Sequence, residues 1–198
     1  KSTFLDILSL KYGLSYDLFI NDKRIEDINE IIDDIYYLEQ NPIFAEDLTI
    51  YEQWLILKKK YDIDIDLQAY INKLNLEDVQ NLYPMQLSSG EKYRCLFINA
   101  LIIRPLIILM DEPTASLNVE YKKIIMEIFD ELKNNSILIV SSHDSFLIEQ
   151  ADTLYEINEY KLNQIRISEE RDKSYKKDTH VKKINWFIES MKMKKHHI

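Results

Sequence analysis

Leu87-Ser88-Ser89-Gly90-Glu91 and, after a helix-like segment, Leu106-Ile107-Ile108-Leu109-Met110-Asp111-Glu112-Pro113 are the stretch from which the fold is read. The apolar run 106–110 reads as a buried strand that delivers two adjacent carboxylates to a sheet edge. Burying an unpaired carboxylate costs several kcal/mol. A fold that places Asp111 and Glu112 there is therefore expected to hold a cation, an activated water, or both. Phosphate chemistry is the first implication.

Upstream, Ser88 stands as an N-cap with Glu91 three residues on, the spacing of a capping box. This predicts a helix from about Ser89 to Ile103, stopped by Pro105. Its first turn combines the Ser88 hydroxyl, backbone N–H groups and the positive dipole end, a combination that suits an anion. The chain opens on Lys1-Ser2-Thr3 followed by a helix-like segment, the way a phosphate-binding loop ends. The glycines of that loop are missing, since only Gly13 and Gly90 occur, and no Met precedes Lys1. The sequence is therefore expected to begin inside the motif and, lacking the phosphate-cradling backbone, to bind a phosphate-bearing ligand poorly as it stands.

With 46% apolar and 30% charged residues the composition is that of a globular chain. The single Cys95 reads as a small buried apolar residue and excludes an intrachain disulfide. Net charge is −9 but unevenly spread: residues 1–162 carry 15 basic and 29 acidic side chains, residues 163–198 carry 10 and 5. An acidic body argues against a broad nucleic-acid surface, because phosphate neutralisation dominates such affinity. In the basic tail Val181, Ile184, Phe187, Ile188 and Met191 could share a helix face, with lysines around it.

Between the ends, Tyr16–Ile20 and Arg24-Ile25 flank the turn pair Asn21-Asp22 and read as a hairpin. Ile35-Tyr36-Tyr37-Leu38 reads as a strand running into Gln40-Asn41-Pro42. From Leu48 to about Gln80 the period turns helical, with Leu48, Tyr51, Leu55 and Leu57 grouped in one segment and Ile65, Leu67, Ile71 and Leu74 in the next. After residue 105 strand and helix alternate: Val119–Leu132 helix, Ser136–Ser141 strand ending at Ser142-His143-Asp144, Phe146–Gln150 helix, and Thr153–Ile157 as a final strand. That alternation indicates a mainly parallel α/β sheet with an inserted helical subdomain at about 45–103.

In order and spacing these motifs resemble the ATP-binding cassette ATPases, a branch of the P-loop NTPases, across almost all of residues 1–157. The resemblance implies ATP and Mg²⁺ as cofactors. It implies that Lys1 holds the outer phosphates, Ser2 ligates Mg²⁺ and Thr3 contacts the inner phosphates. Gln40 would sense the metal and the attacking water, Asp111 would hold the metal shell, Glu112 would polarise the water and His143 would contact the γ-phosphate. Ser88, Ser89, Gly90 and Glu91, with Asn118, would address ATP held by a second cassette, so that two cassettes close head to tail. Two departures stand out: Ser89 replaces the signature's first glycine, and Asn118 stands where the family usually has Asp.

The resemblance implies a transporter motor on the cytoplasmic face of the membrane, driving a permease subunit. The runs 40–52 and 83–87 look most like bacterial export cassettes of the lipoprotein-release, macrolide and peptide-antibiotic type. The alternatives are a soluble cassette ATPase of translation, repair or iron–sulfur assembly, and a hydrolysis-poor regulatory cassette suggested by Asn118. Residues 1–88 leave no room for the long coiled coil of repair heads. The expected division is an ATPase domain at 1–162 and a basic extension at 163–198.

Overall fold

Side chains of β4 (Ile107–Asp111) alternate in direction, and the alternation organises the chain around it. The structure is a computed structural model, which describes residues 2–11, 18–20, 23–39, 42–115, 117–158 and 161–167. Every residue of β4 is buried. Ile107 and Leu109 join Leu5, Leu10 and Ile31 in one apolar cluster. Ile108 and Met110 belong to a larger one with Trp54, Phe97, Ile125 and Phe129. A strand covered on both faces has no polar face to show, which is why it reads as a continuous apolar run.

β4 is the middle of a three-stranded parallel sheet in the order β3 (Ile35–Leu38), β4, β5 (Ile137–Ser141). Leu38 pairs with Met110, Met110 with Val140 and Asp111 with Ser141. Parallel neighbours need crossovers, and here helices supply them. α1 (Ser2–Leu8) contacts β4 through the smaller cluster, while α4 (Ser89–Ile103) and α5 (Val119–Leu132) contribute to the larger one.

The inserted helices are α2 (Ile50–Tyr61) and α3 (Leu67–Lys73). Thr49 and Glu52 form a capping box at the start of α2, and Asp62 closes its end in the left-handed region. Ile50 and Trp54, four residues apart, make the buried face, and the Trp54 indole N–H donates to Asn99 Oδ1 at 3.0 Å. Leu55, one of the apolar residues of the expected helical segment, is 46% exposed, because one residue past Trp54 lies about 100° further round a 3.6-residue turn. α4 runs over the span that the capping box and Pro105 predict, ending at Arg104 in the left-handed region.

Two differences from the expected elements arise. Two 3₁₀ turns, Ile28–Glu30 and Ile32–Asp34, precede β3 where no regular element is expected. β6 (Thr153–Asn158) is not the final strand: β7 (Lys161–Ile167) follows and pairs with it antiparallel, as a separate two-stranded sheet. The expected hairpin is present as β1 (Leu18–Ile20) and β2 (Lys23–Ile25), with its turn pair Asn21-Asp22 outside the described residues, as is the tail helix at 181–191.

Cys95 is fully buried in α4, and burial pushes its thiol up to about 12. Since the thiolate is the nucleophile, iodoacetamide at neutral pH is expected to label Cys95 only after denaturation. Rapid labelling of the folded chain, read by mass spectrometry, would contradict this packing.

Candidate functional site

The carboxyl ends of β4 and β5 lie side by side because Asp111 is paired with Ser141 in the ladder. That register places Ser141 Oγ to donate to Asp111 Oδ1 at 2.5 Å. The next residue, Glu112, leaves the strand with φ of 47°, in the left-handed region that a non-glycine residue enters at a cost. Its N–H is held by Ser141 O at 2.9 Å, which fixes the turn.

The turn aims the Glu112 carboxylate at the loop after β5. Oε2 accepts from Ser142 Oγ at 3.1 Å and from the His143 N–H at 3.3 Å, and Oε1 lies 3.9 Å from His143 Nε2. Asp111 is 5% exposed, Glu112 is half-buried and His143 is exposed. A buried carboxylate, a second carboxylate held by two donors and an accessible imidazole thus meet at one sheet edge, where open parallel sheets collect their ligands.

A second knot of polar groups braces this edge. Asp144 caps α6 (Ser145–Gln150) through Oδ1, which accepts the Phe146 N–H at 3.1 Å. Its Oδ2 accepts from Thr114 Oγ1 at 2.7 Å and pairs with Lys122 Nζ at 2.6 Å. The Lys122 ammonium, then the Thr114 hydroxyl, hold the Asp144 carboxyl below its ordinary value. The pair is therefore intact at neutral pH and is lost only as pH falls through that depressed pKa.

The signature residues form a separate site at the start of α4. Ser88 accepts the Glu91 N–H at 3.3 Å, while Glu91 Oε2 receives both the Ser88 N–H and hydroxyl at 2.7 Å. Those bonds, the hydroxyl's first, hold the Glu91 carboxyl below its usual range. Ser89 takes a helical place with negative φ, so its side chain introduces no strain. At Gly90 a Cβ would meet only Arg94 at 3.9 Å, an ordinary contact. No hydrogen bond or ion pair described among these residues links them to Asp111, Glu112 or His143.

Asn118 is the N-cap of α5, its Oδ1 accepting the Tyr121 N–H at 2.9 Å. Asn and Asp are equivalent in that role, so the departure at this position leaves the helix start unchanged. Thr3 is an exposed residue of α1 and Ser2 opens that helix, whereas Lys1 and Gln40 lie outside the described residues. Ser142 and Asp144 were named by sequence only as the neighbours of His143, and Ser141, Thr114 and Lys122 were given no role. The hydroxyl pair directly before His143 was the one available signal.

Comparison with known proteins bears on this arrangement. A family model described as ABC transporter matches residues 1–115. ABC transporter A family member 11 of Dictyostelium discoideum is 30% identical over 158 residues, covering 76% of this chain and 19% of that protein. The ATP-binding protein HrtA of Staphylococcus aureus is 35% identical over 144 residues, covering 72% of this chain and 64% of HrtA. The chain thus spans less than two thirds of either relative.

Among solved structures, the dimeric ATP-binding cassette MJ0796 bound to ADP and Pi superposes with a TM-score of 0.65 at 23% identity, covering 83% of this chain and 80% of that one. A bacterial Atm1-family exporter with ATP bound gives 0.67 at 19% identity, over 82% of this chain and 30% of that one. The structural likenesses carry the fold and the family model carries the kinship: the chain belongs to the ABC transporter family, as an ATP-binding cassette of the P-loop NTPase fold.

Proposed function

We propose that the intact protein is the ATP-hydrolysing motor subunit of a transporter, closing head to tail with a second cassette around two ATP and driving a membrane permease from the cytoplasmic face. The observation that carries this reading is the pairing of Asp111 with Ser141, which brings Glu112 and the His143 loop together beside a buried carboxylate.

The donor set fits a magnesium nucleotide. Among the described residues no group of three His, Cys, Asp or Glu side chains could hold a metal alone. Mg²⁺ suits such a site, since it is bound through one or two carboxylates plus phosphate oxygens and water. Lys1 would hold the outer phosphates, Thr3 the inner ones, and Ser2, Gln40 and Asp111 the metal, which neutralises charge on the transferred phosphoryl group. Glu112 Oε2 or Oε1 would take the proton of the attacking water, with Ser142 and the His143 N–H keeping the carboxylate in place. His143 Nε2 would donate to the γ-phosphate.

Ser88, Ser89, Gly90, Glu91 and Asn118 would face the nucleotide of the second cassette. Gly90 supports this. Glycine within a helix costs about 1 kcal/mol relative to Ala, and here neither backbone conformation nor lack of space requires it. Close approach by a group from outside the chain supplies a reason for it.

A groove of about 480 Å³ between β3 and the inserted helices, lined by Tyr36, Pro42, Phe44, Leu48, Ile56 and Leu96 among others, would receive a helix of the permease. Ile43, on its rim, is 95% exposed. Substituting Ile43 by Asp should leave folding and ATP turnover of the isolated protein intact while releasing it from membranes containing the permease. Undiminished membrane recovery, or association with ribosomes or DNA instead, would count against the motor reading. No helix among the described residues is long and apolar enough to cross a membrane.

A further inference from the structure

We propose that Lys122 and Asp144 are positioning residues for ATP hydrolysis, clamping the loop that carries His143 against the loop that carries Glu112. The proposal rests on the assignment of Glu112 and His143 to the nucleotide.

Capping α6 occupies only Asp144 Oδ1, on the Phe146 N–H. The second oxygen is spent on tertiary structure: Thr114 Oγ1 from the loop after β4, and Lys122 Nζ from the first turns of α5. Two residues before Asp144, Ser142 Oγ is shared between the Asp144 N–H at 3.0 Å and Glu112 Oε2. Two residues before Thr114 stands Glu112 itself. The carboxylate of Asp144 therefore ties both ends of the Glu112–His143 contact to one helix. Its side chain is 14% exposed and that of Lys122 is 23% exposed, so the pair is shielded from the solvent screening that weakens surface ion pairs.

The same turn of α5 looks the other way through Tyr121. Its ring lies under the Arg94 guanidinium at 4.9 Å, and its hydroxyl accepts from Asn75 Nδ2 at 3.0 Å. Arg94 belongs to α4, four residues beyond Gly90, and Asn75 follows α3. Adjacent residues of one helix thus touch the signature helix and inserted region on one side and the His143 loop on the other. Displacement of α4 by a partner's nucleotide would be felt at Asp144 through Tyr121 and Lys122.

The test compares Lys122→Met and Lys122→Arg in the intact protein by ATP turnover and by amide hydrogen exchange. The Met variant is expected to lower kcat about tenfold with KM for ATP changed less than about twofold, the scale of energetic coupling through a packed network. Exchange should quicken in residues 112–115 and 142–147 while β4 and the middle of α4 stay protected, and Arg should restore kcat. Unchanged kcat, or Met and Arg equally impaired with faster exchange throughout the chain, would overturn the clamp. If the parent protein turns over no ATP, the ATPase assignment fails by itself. The clamp is then decided by exchange alone, for which quickening confined to the two loops supports it and no change refutes it.

Discussion

Glu112→Gln in the intact protein is expected to reduce ATP turnover about 10²- to 10⁴-fold, the usual worth of a positioned base, while ATP binding persists and a closed dimer accumulates. The amide keeps an oxygen able to accept from Ser142 Oγ and from the His143 N–H, the two bonds that hold the side chain. What it loses is the capacity to take a proton. Phosphate release measures the first effect and size-exclusion chromatography with ATP the second. Turnover equal to that of the parent would remove Glu112 from the role of base. The backbone bears on the experiment as well: φ of 47° at a non-glycine position costs free energy, and the turn it makes aims the carboxylate at the β5 loop.

Phe97→Ala is expected to destabilise the chain by about 3–5 kcal/mol, the range for deleting a buried aromatic. Phe97 is fully buried, meets Tyr93 edge-on at 5.7 Å and Phe129 at 6.1 Å, and so joins α4 to α5 under the sheet. The cavity cannot collapse easily, because the helices on either side are fixed by polar bonds of their own, including Tyr70 OH to Glu131 Oε1 at 2.9 Å. A urea midpoint within a few tenths molar of the parent would show that the cluster relaxes around the loss.

Much of the architecture was legible because the local signals are strong and agree. The capping box at Ser88 and Glu91 with Pro105 beyond defined α4, and the unbroken apolar run before Asp111 defined β4. Where local signals are weak the reading failed. β7 has a polar sequence, Lys161–Ile167, whose strand identity comes from pairing with β6 rather than from its own periodicity.

At the site, the carboxylates and the histidine are visible in the motifs, but their supports are not. Thr114 and Asp144 are 30 residues apart, and Ser141 and Asp111 likewise, so each pair exists only through the fold. Lys122 sits in an unremarked helical turn, and nothing in its sequence neighbourhood tells which way its side chain points.

The ladder that pairs Asp111 with Ser141 also sets a tolerance. A strand's side chains alternate with period two, so a slip of β5 by one residue against β4 would turn its serine from the aspartate and send Leu138 and Val140 to the wrong apolar cluster at once. The hydrophobic layers therefore enforce the alignment of the polar edge, and no polar bond there needs to be strong. Substitutions hidden beneath the sheet can act as tuning screws for a reaction at its rim, which makes the core a place to look for variants with altered activity and intact site residues.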